Sequence, residues 1–375
     1  MGTLSSLTGG SGGGGSPLPQ PEWLTQKSSF TYTFPYDGVV RVHVVGAGGS
    51  GGKQYNRYHG HGGGAGGYAR KQFTVTTSTT ATVTTGVGGL PRGEGHTSAA
   101  GVAGTNTTFV LGATTITANG GSGGSEYPSA LAQAAGGTAT GGDVNYTGGR
   151  GGYFNRSYHV CGGGSGGGAV NPFGLPTGST DGGSVLYSSG SDYATGGGGI
   201  GGRGGNINTY NQMIATGGGG SAGSATDIDA GTANNHPSDD RNSAGGAGGA
   251  RLFIFNGIFF DGRGGMSLQP QFNNTYQGMT FPPYHDVGHG AGSGGLIFYT
   301  GNQYISMYAQ TAGIFGGGGG TYVHSGYAGS GGDATLGGGG GGISSVTSNP
   351  GGSQQAMRSG RGGNGVVIIE YIERS

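Results

Sequence analysis

Apolar and polar residues alternate along only a few stretches of this chain. Phe30, Tyr32 and Phe34 are separated by single residues, and Val40, Val42 and Val44 keep the same rhythm; "ARKQFTVTT", "TATVTTG", "TTFVLG" and "TTITANG" carry it to about residue 119. A period of two predicts antiparallel strands with one face buried, here with Phe73, Val75, Ala81, Val83, Phe109, Leu111 and Ile116 turned inward. The last such stretch, "GVVIIEYI" at 365–372, is predicted to return to the first strands and close one sandwich made of residues 29–119 and 364–375. Two further apolar runs lie near 250–260 and 296–310, and Thr300-Gly301-Asn302 predicts a hairpin within the second. The pattern leaves open whether these runs extend the sandwich or build a smaller sheet.

What separates the strands is glycine, 101 of 375 residues, several times the usual share of roughly 7%. In "GVVRVHVVGAGGSGGK" (38–53) a strand runs into glycine with no polar turn, and the residues that interrupt it, Ala47, Ser50 and Lys53, stand three apart. The X-Gly-Gly spacing returns at Arg150 and Tyr153, at Ile200, Arg203 and Asn206, and at Ala244, Ala247 and Ala250. Period three belongs to the extended left-handed helix that rises about 3.1 Å per residue and makes no internal hydrogen bonds. Its N–H and C=O groups must therefore be met from outside.

A helix bare on two faces can approach its neighbours closely enough to exchange those bonds, with side chains on the third face pointing outward. The all-glycine runs Gly316–Gly320 and Gly337–Gly342 are expected at the centre of such a bundle. Ordering glycine costs about 0.5–1 kcal/mol more than ordering alanine, which only a dense hydrogen-bond lattice offsets. Flexible linkers need neither aromatic residues nor a three-residue register. The expected fold is all-β: an antiparallel, jelly-roll-like β-sandwich carrying a polyglycine II insert over 120–363.

Charge narrows the function. Sixteen basic residues balance sixteen acidic ones, so the chain lacks the basic footprint of a nucleic-acid or membrane-surface binder. The Arg-Gly-Gly triplets at Arg150, Arg203, Arg263 and Arg361 are scattered, not clustered. One cysteine, Cys161, excludes an internal disulfide framework and fits synthesis in a reducing cytoplasm. No stretch approaches a membrane span. Carboxylates are sparse, Asp239 and Asp240 fall in a polar loop, and Gly-X-Gly-X-X-Gly matches carry no weight at this glycine content. A non-enzymatic protein without a cofactor is expected.

Residues 1–28 pass from a Gly/Ser run through alternating prolines to Trp23, the only tryptophan. They read as an attachment arm, with Trp23 and Leu24 as anchors on another protein.

Short inserts rich in Tyr, Asn, His and Arg lie between the glycine tracts: "KQYNRYHGH" (53–61), "YFNRSYHVC" (153–161), "NINTYNQM" (206–213), "FNNTYQGMTFPPYHDVGH" (272–289) and "TYVHSGYA" (321–328). Such a palette combines rigid aromatic contact with adaptable hydrogen bonding, as binding surfaces require. The candidate binding residues are Tyr55, Arg57, Tyr58, Tyr153, Phe154, Arg156 and Tyr158, then Tyr276, Phe281 and Tyr284. The equally weighted alternative is that the inserts cap the glycine helices and pack on one another. His59 with His61, or His285 with Asp286 and His289, have metal-ligand spacing but form no complete ligand set, so solvated loop histidines and no metal are expected.

The succession "VVGAGGSGG", "GGGAGGYARKQFTVT", "TVTTGVGG", "ITANGGSGG" and "GGNGVVIIEY" resembles the glycine-rich domain of bacteriophage tail-fibre and adhesin proteins over about residues 29–375. It also looks like the glycine-rich extracellular region of anaplastic lymphoma kinase, although that region bears cysteines and follows a signal peptide. The phage resemblance implies stacked polyglycine II helices that present variable loops to the bacterial surface. It further implies a location in the virion tail and attachment through the N-terminal arm to other tail-fibre or baseplate proteins. A bacterial glycan or outer-membrane protein is the implied receptor, and a homo-oligomer, by preference a trimer, the implied assembly. Competing readings are a purely architectural virion protein, a surface-polysaccharide depolymerase and an ice-binding protein.

Overall fold

The structure is a computed structural model that describes residues 17–26, 28–54, 59–93, 98–126, 133–154, 161–164, 166–169, 180–187, 192–199, 202–208, 214–216, 228–229, 243–244, 253–255, 258–260, 271–272, 296–300, 307–308, 311–323, 329–345 and 357–374.

Ten strands form two antiparallel sheets: β1 (Glu22–Leu24), β2 (Ser29–Thr33), β3 (Gly38–Val45), β4 (Tyr68–Val75), β5 (Thr80–Thr84), β6 (Thr107–Leu111), β7 (Thr114–Ala118), β8 (Ala139–Thr140), β9 (Val144–Tyr146) and β10 (Val366–Arg374). The first sheet has the order β1-β10-β3-β4-β9 and the second β8-β7-β6-β5-β2. Alternation decides which residues meet between them. Val40, Val42 and Val44 from β3, Val367 and Ile369 from β10, and Val83, Phe109 and Ile116 from the facing sheet share one core. Phe34 and Phe109 are fully buried there, each contributing about 1.5–3 kcal/mol by leaving water. Gly112, with φ +58°, supplies the left-handed turn that joins β6 to β7.

The sheets begin earlier and end later than the alternation predicts. β1 pairs Trp23 with Ile368 and Leu24 with Val367, so strand structure starts before residue 29. Three residues are too few to register as a period, yet they complete the edge of the first sheet. Likewise β8 and β9 lie beyond residue 119. The first sheet is also covered on its other face, where Val45, Tyr68, Val366 and Ile368 pack against Ala169 and Phe315, with Trp23, Ile314 and Leu336 alongside.

β3 passes directly into the glycine-rich segment 46–54, whose hydrogen bonds repeat every three residues. Gly46, Gly49 and Gly52 donate to Gly67, Gly64 and His61; Ala47, Ser50 and Lys53 donate to Thr105, Val102 and Ala99; Gly48 and Gly51 donate to Gly363 and Gly360. The same segment accepts bonds from Gly89, from Gly121 and Gly124, and from Gly340 and Ile343. It thus has six neighbours, whereas a strand has two bonding edges. Segment 337–343 is enclosed in the same way, by 46–52, 63–66, 164–167, 318–321, 332 and 360–364. An outward third face is therefore not general. Ala47, Ser50 and Lys53 are all buried, because the segment that carries them is surrounded; on the rim Arg150 is exposed and Arg203 half-buried, as the spacing predicts.

The two apolar runs outside the sandwich part ways. Among the described residues, Phe253–Phe255 and Ile258–Phe260 pair only with each other, antiparallel. Leu296–Thr300 instead joins parallel neighbours at 271–272 and 321–323, and 307–308 pairs with 329–330. The predicted hairpin is not formed by these strands: each pairs in parallel with another segment instead.

Candidate functional site

The described ends of the 53–61 insert lie at the end of the glycine-rich segments remote from the sheets. Val45 pairs with Tyr68 at the sheet margin, and from there Gly46, Gly49 and Gly52 bond in turn to Gly67, Gly64 and His61. Residues 54 and 59 consequently lie at the end of this pairing farthest from β3 and β4. Sideways pairings set other insert bases at this level. Lys53 aligns with Ile343, Ile343 with Thr321 and Thr321 with Leu296. His59 aligns with Gly162, Gly162 with Tyr193 and Tyr193 with Ile214. Bridges from Lys53 to Ala99 and from Gly60 to Glu126 add two more segments.

At this end His59 and His61 are buried and stacked, with ring centroids 5.1 Å apart and an interplanar angle of 6°. Phe154 stacks on His59 at 4.8 Å and lies 6.2 Å from His61. The Ser125 hydroxyl is 2.7 Å from His61 Nδ1. Beside them Lys53 is 1% exposed and donates from Nζ to the Gly93 carbonyl at 2.8 Å. The expectation of solvated histidines is thus overturned: a side chain at a segment end is shut in when neighbouring segments end at the same height. Among the described residues no group of three or more His, Cys, Asp or Glu side chains is arranged to hold a metal ion.

Of the predicted binding residues, Phe154 is buried in this stack and is a packing residue, not an exposed contact. Tyr153 is half-buried, its N–H donating to Ser184 Oγ at 3.2 Å. Tyr55, Arg57, Tyr58, Arg156, Tyr158, Tyr276, Phe281 and Tyr284 lie outside the described residues, as do His285, Asp286 and His289. Trp23 and Leu24 are engaged within this chain, Trp23 against Phe315 and Leu24 in the core. The 53–61 and 153–161 inserts, similar in sequence, are joined at their bases by the His59–Phe154 contact.

Sequence reasoning missed a second polar group, on the first sheet. His43 is buried, with Nδ1 3.0 Å from the Tyr68 hydroxyl and Nε2 3.4 Å from Glu370 Oε2; Arg41 Nη1 donates to the same carboxylate at 3.1 Å. Burial holds His43 below its ordinary value, partly countered by Glu370. Its hydrogen bond, helped by Arg41, holds Glu370 low, and burial pushes the Tyr68 phenol up. Neutral His43 satisfies both partners by donating from Nε2 to Glu370 and accepting the Tyr68 O–H at Nδ1. The alternation of Arg41 and His43 between core valines was the available signal, since it placed both on one face.

A family model described as a glycine-rich domain matches residues 25–266, more than half of the chain. The chain belongs to this glycine-rich domain family. The match takes in β2 to β9 and the first glycine-rich segments, while β1, β10 and the glycine-rich segments after residue 266 lie outside it. No curated protein matches the chain.

Proposed function

We propose that the protein is a structural and receptor-binding component of a bacteriophage tail, in which a sandwich base carries a polyglycine II bundle that displays aromatic inserts to the bacterial surface. The observation that carries this reading is the common level of the insert bases, held by hydrogen bonds that repeat every three residues. Bonding to several neighbours, parallel and antiparallel alike, suits a polyglycine II helix, whose N–H groups point in three directions. Nine residues from Gly46 to Gln54 at about 3.1 Å each set the bases roughly 28 Å beyond the sheet. Glycine segments carry no side chains with which to read a ligand, so specificity falls to the inserts. Resemblance to phage adhesins supplies the biological setting.

The test is adhesion of the purified chain to a panel of bacterial cells. Combined Tyr55→Ala, Tyr58→Ala and Tyr158→Ala substitution is expected to weaken binding by at least about 30-fold, the scale of one true hot spot, with the Tm unchanged. Intact binding with a lowered Tm assigns these side chains to packing, and absence of binding to any envelope favours a purely architectural role.

A further inference from the structure

The alternation that turns Tyr32, Val83, Phe109 and Ile116 into the core turns their neighbours to the opposite face of the second sheet. Strand register aligns those neighbours in rows. One row runs Ser29, Thr84, Thr108, Thr117 and Thr140, and the next Thr31, Thr82, Val110 and Thr115. Thr33 opposite Thr80 starts a third. Thr31, Thr82, Thr115 and Thr140 are exposed, and Thr84, Thr108 and Thr117 half-buried. Neighbours within a row stand about 4.8 Å apart, and rows follow one another at about 6.8 Å. The first sheet is built otherwise: its outer face pairs Arg41 with Glu370 and His43 with Arg70.

The array continues past the strand ends. Two residues from Thr108, Thr117 and Thr140 stand Asn106, Asn119 and Thr138; Asn119 Nδ2 donates to Thr138 Oγ1 at 2.9 Å, and the Gly120 N–H to Asn106 Oδ1 at 3.0 Å. Three residues further from the sheet, at the register of the glycine-rich segments, Ala103, Ser122 and Ala135 are exposed. Gly104 bonds to Gly121 and Ser122 to Ala135, both at 2.9 Å, so these segments lie side by side. Such a face suits few macromolecular ligands. A protein partner anchors on aromatic residues and Arg, a polyanion on Lys and Arg, and a glycan on the mixed aromatic and polar palette that the inserts carry. Threonine instead offers a hydroxyl that donates and accepts hydrogen bonds, beside a methyl group that water avoids. Repeated on a rigid sheet, that pair holds water molecules in register with one another. The two repeats of the array lie close to the oxygen spacings on the prism face of hexagonal ice.

We propose that the outer face of the second sheet, extended over residues 103–106, 119–122 and 135–138, is a binding site for ice. Its ligand is the ordered surface of solid water, met by many weak contacts at once. Val110 keeps the shape of threonine and interrupts the methyl array nowhere. Strand twist accumulates across a sheet, so the central strands β5, β6 and β7 carry the match. The core residues directly behind them, Ala81, Val83, Phe109 and Ile116, are buried and hold the rows in place. A charged side chain in a row would draw water into its own hydration shell and break the register. This site is separate from the inserts and does not rest on the function proposed above.

The experiment grows ice slowly in a solution of the purified full chain and measures the protein taken up, together with the gap between melting and freezing points of a single crystal. The unsubstituted chain is expected to enter the ice and to open the gap. The Thr82→Lys, Thr115→Lys variant is expected to be excluded as an ordinary solute is, with the gap closed and the Tm nearly unchanged, because both positions are exposed. Thr74→Lys, at an exposed position of the first sheet, is expected to keep both properties. Thr82→Tyr, Thr115→Tyr, a substitution that strands favour, is expected to lose them through bulk alone, and it decides the matter if the Lys variant does not fold. Exclusion of the unsubstituted chain from ice overturns the proposal, as does an equal loss in Thr74→Lys or undiminished uptake in both double variants. If the unsubstituted chain is excluded and Thr82→Lys, Thr115→Lys dissolves a self-associated form in sedimentation, the face belongs to a second copy of the chain. Loss of cell adhesion on substitution of the inserts leaves ice uptake intact, so the two readings fail separately.

Discussion

The Trp23 indole stacks on Phe315, with ring centroids 6.0 Å apart and planes inclined by 29°. The contact ties the first strand to a residue almost three hundred positions away, on the segment that leads into Gly316–Gly320. Phe315 is fully buried with φ +67°, a left-handed conformation unusual for a bulky side chain. Its neighbours Val45, Val366 and Ile368 hold it there. Glu22 accepts the Tyr32 hydroxyl at 2.8 Å, and Leu24 is buried in the core.

Removal of residues 1–28 is therefore expected to destabilise the fold, not merely detach it from a partner. Leu24→Ala alone is expected to cost about 2–4 kcal/mol, and Trp23→Ala a similar amount, read as a fall in denaturant midpoint. A truncated chain that unfolds at the same denaturant concentration as the full one would show that β1 is dispensable.

Gly339 is a position of the lattice with no room for a side chain. A Cβ there would lie 2.0 Å from the Gly63 carbonyl oxygen and 2.7 Å from its carbon, and neither atom can rotate away. Gly339→Val is expected to cost at least about 4 kcal/mol through forced separation of two segments. Arg203→Ala, on the half-buried rim, is expected to cost under about 1 kcal/mol. Thermal unfolding of both variants provides the comparison, and equal Tm values would contradict an ordered lattice at Gly339.

Acid is expected to act on the first sheet in two steps. His43 titrates below its ordinary value when folded, so the unfolded chain binds the proton first, and stability falls as pH drops below about 6.5. Glu370 is likewise held low, so its contribution is complete above its ordinary value of 4.5 and is lost as pH falls through its folded value. His43→Gln removes the first step and keeps the second. Denaturation midpoints measured across this range check the order, and an unchanged upper step in the variant assigns it to other groups.

Much of the sandwich was legible because period two is local. Val83, Phe109 and Ile116 face inward as alternation requires, and 366–374 returns to pair with β3. The three-residue register was also legible, since it reappears as the rotation of hydrogen-bond partners along 46–54. What the sequence concealed was how many neighbours each segment acquires. That number decides whether Ser50 and Lys53 face solvent or are enclosed, and it buries His59 and Phe154 where composition suggested exposed loops. β1 escaped notice for the same reason: three residues acquire strand character only from the edge they complete.

The 53–61 insert is flanked by segments whose own partners are fixed elsewhere, 53–54 being held by 99 and 343–344 and 59–60 by 126 and 162–163. Residues can be added or exchanged between such bases without moving a lattice bond. Divergence within a lineage of these chains should accordingly be uneven, with glycine positions frozen and insert lengths drifting freely. On the receptor-binding reading proposed above, a host that alters its surface is followed by changes of a few residues in the inserts, with no redesign of the glycine-rich segments beneath.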